Sequence, residues 1–108
     1  MAAEHPEPPV RTEISLAEAR QTGDALRVDW RALSVEQLRS AMLVELEHGR
    51  RDWRTDVTAD DLEITAMIAL AHFEEGLEYY DLLAELEAKL KLKRATRVSP
   101  FLVAAEKP

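Results

Sequence analysis

The chain has 108 residues, room for one domain with a buried core. Its 46% hydrophobic and 32% charged content is that of a globular protein, not a disordered one. A formal charge of −7 argues against general nucleic-acid binding, because it repels phosphate backbones, and the lack of cysteine excludes disulfides, thiolate-held metals and thiol catalysis.

Residues 1–12 are polar and rich in proline (Pro6, Pro8, Pro9) and read as a flexible arm. They lack the basic start and apolar run of a secretory signal. The longest apolar run, 66–71, is too short to cross a bilayer. A cytoplasmic location without membrane contact is the default expectation. A helical domain is expected over 13–93 and a tail over 94–108.

A short first helix is predicted after Ser15, with Glu18 completing a capping box and Gly23 as the stop. Leu16 and Ala19 would face inward. The segment 26–30 reads as a connector carrying Trp30, a large aromatic expected to anchor the core. Ser34 and Gln37 form a second capping box, and a second helix should run to about Glu47 and end at Gly49. Val35, Leu38, Met42 and Leu46 make its apolar stripe. Glu45 projects near the middle of that stripe, where a carboxylate is costly unless it has a partner. His48 lies at the edge.

Residues 49–57 form a polar loop. Thr58 is the expected cap of a third helix over about 59–75, with Asp60 and Asp61 in its first turn, where acids suit the helix dipole. Leu62, Ala66, Ala69 and Phe73 share one face. Thr65, Ile68, His72, Glu75 and Tyr79 line an adjacent strip. Gly76 should break the helix. A fourth helix over about 77–93 would turn Tyr80, Leu83, Leu86 and Leu90 inward. Its end is basic, with Lys89, Lys91, Lys93, Arg94 and Arg97, as the negative end of a helix dipole favours. The tail holds an apolar patch over 100–104, suited to packing back or to docking on a partner. The fold class is therefore all-α: a small helical bundle of three main helices plus a short N-terminal one.

Two segments place a histidine three residues from a glutamate on a helix: Glu45 with His48, and His72 with Glu75. Such pairs project the same way, and helical bundles build Fe, Mn or Zn sites from them. A four-helix di-metal centre needs two further glutamates, and none is in clear register. In an antiparallel hairpin His48 sits at the loop end, whereas His72 lies about 21 Å along the next helix. The register argues against the two pairs meeting unless the loop shifts the helices or a second subunit brings them together. The plainer alternative is structural: His48 caps helix carbonyls, and His72 hydrogen-bonds a partner such as Glu45 or Tyr79. Acid–base catalysis by His72 and Glu75 is a third possibility. No nucleophile, oxyanion hole or phosphate loop is legible beside them.

Val44-Glu-Leu-Glu-His-Gly49, then Asp52, Thr55-Asp-Val-Thr-Ala-Asp-Asp61, Ile68-Ala-Leu-Ala-His72, Glu75 and Tyr79-Tyr80 resemble a small bacterial and phage family known only as a domain of unknown function. The similarity reaches upstream to the segment from Ser15 to Trp30 and covers roughly 15–87. It implies a compact helical domain and supplies no activity. Asp56 stands where the family often has Asn, Ala66-Met67 where it has Gly-Lys, and Gly76-Leu77 where Phe-Pro is common. The function expected is that of a non-catalytic interaction or accessory subunit with a protein partner or a second copy of itself. The alternative is a metal protein using Glu45, His48, His72 and Glu75.

Overall fold

Two serines start the first two helices by the same device. The Ser15 hydroxyl accepts from the Glu18 amide at 3.0 Å, and the Glu18 carboxylate accepts from the Ser15 amide at 2.9 Å. Ser34 and Gln37 repeat this at 3.0 and 2.9 Å. Each pair satisfies amides that a helix start leaves without partners. The computed structural model describes residues 11–93, 101–103, 105 and 107. Its elements are α1 (Leu16–Ala25), α2 (Val35–Gly49), a 3-10 turn (Trp53–Thr55), α3 (Leu62–Phe73) and α4 (Tyr79–Lys93). The protein is all-α, with no strand among the described residues. No helix among them is long and apolar enough to cross a membrane. The chain divides into two units, 1–70 and 71–108. The expected arm at 1–12 and the tail at 94–108 lie mostly outside the described residues.

In the first unit α1 packs on α2. Its core is Ile14, Ala19, Leu33, Leu38, Ala41, Met42, Leu46, Ala66 and Ala69, all buried. The expected α2 stripe is the centre of this core, with Val35 at its half-buried margin. Leu16, expected inside with Ala19, is exposed.

Gly23 does not stop α1; the helix continues through Ala25. Gly23 is needed for space instead. A Cβ there would lie 2.3 Å from the Trp30 ring. Trp30 is a half-buried clamp rather than a core centre. Its indole Nε1 donates to Asp24 at 2.7 Å, and the Arg20 guanidinium sits 5.3 Å from its ring centroid. The stop comes four residues after Gly23. Arg27 adopts φ +61°, Val28 donates to the Gly23 carbonyl at 2.8 Å, and Arg27 donates to the Asp24 carbonyl at 3.1 Å. These are the paired bonds of a glycine-type helix terminus, here with arginine in the left-handed position.

Thr58 does not cap α3. It is buried and donates to Asp56 Oδ1 at 3.1 Å. The same oxygen accepts from the Ala59 amide at 3.0 Å. Ala59 and Asp60 then take φ +44° and +63°, which helix cannot continue through. Asp61 does the capping by accepting from the Ile64 amide at 2.9 Å, so α3 starts at Leu62. The loop folds back so closely that a Cβ on Gly49 would lie 2.8 Å from Asp56 Oδ1.

In the second unit α3 ends at Phe73 and α4 begins at Tyr79, with Gly76 between them. The inward leucine face expected on α4 is not formed. Of its members Leu86 and Leu90 are 52% and 49% exposed, and Leu82, outside the expected face, is 58% exposed. Tyr80 and Leu83 are only half-buried.

Candidate functional site

Glu45 and His48 belong to the first unit, on the last turns of α2. Glu45 is buried to 8% exposure among Met42, Leu46 and Gly49, as its place in the stripe requires. His48 is half-buried. It is the cationic-capable residue of the last turn, where partial negative charge from the helix end favours it. Its own carbonyl accepts from the Arg51 amide at 3.4 Å. The Nε of the following arginine, Arg50, is buried without a hydrogen-bond partner.

His72 and Glu75 belong to the second unit. His72 Nδ1 lies 3.9 Å from a Glu75 carboxylate oxygen. That is ion-pair range when the imidazole is protonated, and too long for a hydrogen bond. The Glu75 side chain is 68% exposed and that of His72 is 32% exposed. The larger contact of His72 is aromatic: its ring stacks on Tyr79 with centroids 4.3 Å apart and planes 9° apart. Tyr80 meets His72 edge-on at 6.2 Å and Phe73 at 5.1 Å, and it packs on Tyr79 at 5.0 Å. The Tyr79–His72 contact expected as a hydrogen bond is thus a stack. Four rings from the end of α3 and the start of α4 hold this corner together. The signal was present: Phe73 and Tyr80, like His72 and Tyr79, are seven apart across the Gly76 break.

The polar loop of the first unit carries an ion pair held by three hydrogen bonds. Asp52 Oδ1 accepts from the Arg54 amide and from Arg54 Nε, and Oδ2 from Nη2, each at 2.9 Å. These bonds hold the Asp52 carboxyl down from its ordinary 3.8 to about 2. Arg54 also lies 5.8 Å from the Trp53 ring centroid. This pair builds the 3-10 turn through bonds between residues two apart. Among the described residues neither unit holds a group of three or more His, Asp or Glu side chains placed to hold a metal.

Exposed leucines define a different feature. On α4 the stripe Leu82, Leu86 and Leu90 is flanked by Asp81 and Glu85 toward one end and by Lys89 and Lys91 toward the other, all exposed. Sequence periodicity turned Leu86 and Leu90 inward together with Tyr80 and Leu83, and did not single out Leu82.

Searches among curated proteins and among solved structures give no match. A family model does match, over residues 19–89, which span α1 beyond its first turn, α2, the loop, α3 and most of α4. The chain therefore belongs to the family described as "Protein of unknown function (DUF5661)".

Proposed function

We propose that this chain is a non-catalytic interaction or accessory protein of the cytoplasm that binds through the outward face of α4. One observation carries the reading. A helix of 15 residues leaves three leucines of one stripe about half exposed, and such a face loses free energy in water that a partner restores. The first unit supplies the stable body, with its caps, clamp and core. The net charge of −7 favours a protein partner over a phosphate backbone.

The test is in-cell cross-linking of the full chain beside its Leu82→Ser/Leu86→Ser variant. Loss of a stoichiometric complex in the variant, with the circular dichroism spectrum unchanged, is expected. Complexes that are identical for both proteins would end this reading.

A second reading rests on the His72–Glu75 approach of 3.9 Å: either His/Glu pair supplies two donors of the type that Fe, Mn or Zn takes. Elemental analysis of untagged protein tests it. A stoichiometric metal, with a melting temperature lowered by chelator, would establish it. Metal-free protein with an unchanged melting temperature would discard it.

A further inference from the structure

Leu82, Leu86 and Leu90 are spaced four and four, so the stripe reads the same in both directions about Leu86. Their exposures, 58%, 52% and 49%, are nearly even. A helix reversed about Leu86 therefore places leucine over leucine: Leu86 on Leu86, and Leu82 on Leu90. The charges beside the stripe are not symmetric. Along one flank run Asp81, Glu85 and then Lys89, each one helical step from the next. In a face-to-face antiparallel pair, each flank meets its own reversed copy. The Lys89 ammonium of one copy then falls alongside Asp81 and Glu85 of the other, within about 3 Å along the axis, and these opposite-charge approaches outnumber the single approach of Glu85 to its own copy at the same offset. In a parallel pair that flank would instead meet the opposite one, which carries Glu87 and Lys91; Glu85 would then fall beside Glu87 and Lys89 beside Lys91, and like charges so placed are penalised.

Resting on the interaction reading above, we propose that the partner of the α4 face is the α4 of a second copy of this chain, packed antiparallel about Leu86. The arrangement is isologous, so it closes as a dimer and does not propagate. The stripe contributes the apolar contact, and the flank sets the direction. The interface is short, because 15 helical residues span only about 22 Å. The association is accordingly weak and concentration-dependent, in the class of transient interfaces. It also weakens with salt, because its orienting pairs are exposed.

The lack of native cysteine permits a direct test in the full chain. Reduced Leu82→Cys and Leu90→Cys variants are oxidised separately and, in a third reaction, as an equal mixture combined before the oxidant is added. The antiparallel dimer predicts a mixed 82–90 disulfide that forms at least about tenfold faster than either homodisulfide. The two copies of residue 82 lie about 12 Å apart along the axis in that arrangement, beyond disulfide reach. Light scattering on the cysteine-free protein should show a mass that rises with concentration and falls with salt. Lys89→Glu should weaken association at least about tenfold, and mixing it with Asp81→Lys/Glu85→Lys should restore it. Mixing cannot repair helix pairs broken within one chain, so restoration reports contact between chains even if the single variants lose helicity.

Faster 82–82 and 90–90 disulfides would overturn the proposal in favour of a parallel pair. A clean monomer at every concentration would also overturn it. If the Leu82→Ser/Leu86→Ser variant still lost a cellular complex, the interaction reading would survive with a different protein as partner. If it lost none, both would fall.

Discussion

α2 and α4 are equally long, 15 residues each, and both carry large apolar residues at helical spacing. Their fates differ. Leu38, Met42 and Leu46 of α2 are fully buried, whereas Leu82, Leu86 and Leu90 of α4 are about half exposed. α2 has α1 packed against it, and the loop after it turns back so tightly that Gly49 has no room for a side chain. Among the described residues of α4, 79–91, none is buried. A stripe thus states which face of a helix avoids water. It does not state what covers that face, and an uncovered one is informative about association.

The largest expected effect tests this contrast directly. Leu46→Ala should cost about 2–5 kcal/mol in urea unfolding, because it removes transfer free energy and leaves a cavity. Leu86→Ala, measured at low protein concentration, should cost about 0.5 kcal/mol or less. Equal costs would mean that α4 has a hidden cover within its own chain.

A second pair of substitutions concerns the end of α1. Gly23→Ala should destabilise by about 1–3 kcal/mol, since its methyl group meets the Trp30 ring. Arg27→Gly should stabilise by about 1 kcal/mol, because φ +61° is strained for a residue with a Cβ. Thermal melts check both signs, and amide exchange in α4 should not respond to either.

The smallest effect is one of pH. The Asp52 carboxyl is held down to about 2 by its bonds to Arg54. Its contribution is fully present above the ordinary 3.8, and it is lost as pH falls from there through about 2. The 3-10 turn should loosen in that window, with a change in the environment of Trp53 followed by fluorescence. Asp52→Asn should remove this acid transition and leave the circular dichroism of α4 unaltered. A transition centred near 4 in the native chain would show that the pair does not form in solution.

Much of the fold is legible in the sequence, and the legible parts share a cause. The capping boxes at Ser15 and Ser34 join residues three apart, and the α2 stripe follows the helical repeat, so both depend only on local spacing. Glu45 is buried for the same reason, and Glu45 and His48 lie on α2 as periodicity placed them, whereas α3 ends at Phe73 and leaves Glu75 in the turn beyond it. The site was less legible. Whether His72 meets Glu75 or Tyr79 depends on the turn at Gly76, which brings Tyr79 flat against the imidazole and leaves Glu75 at 3.9 Å.

The sequence by itself determined the helical class, the starts of α1 and α2, and the apolar face of α2, because short-range hydrogen bonds and side-chain periodicity suffice for these. Only the tertiary structure decided that Gly23 makes room for Trp30 while Arg27 turns the chain, and that Asp61 caps α3 while Thr58 is held by Asp56. It alone left the leucines of α4 in water. Each of these outcomes depends on which atoms arrive from elsewhere in the chain to fill, crowd or leave open a space, and spacing along the sequence does not encode that.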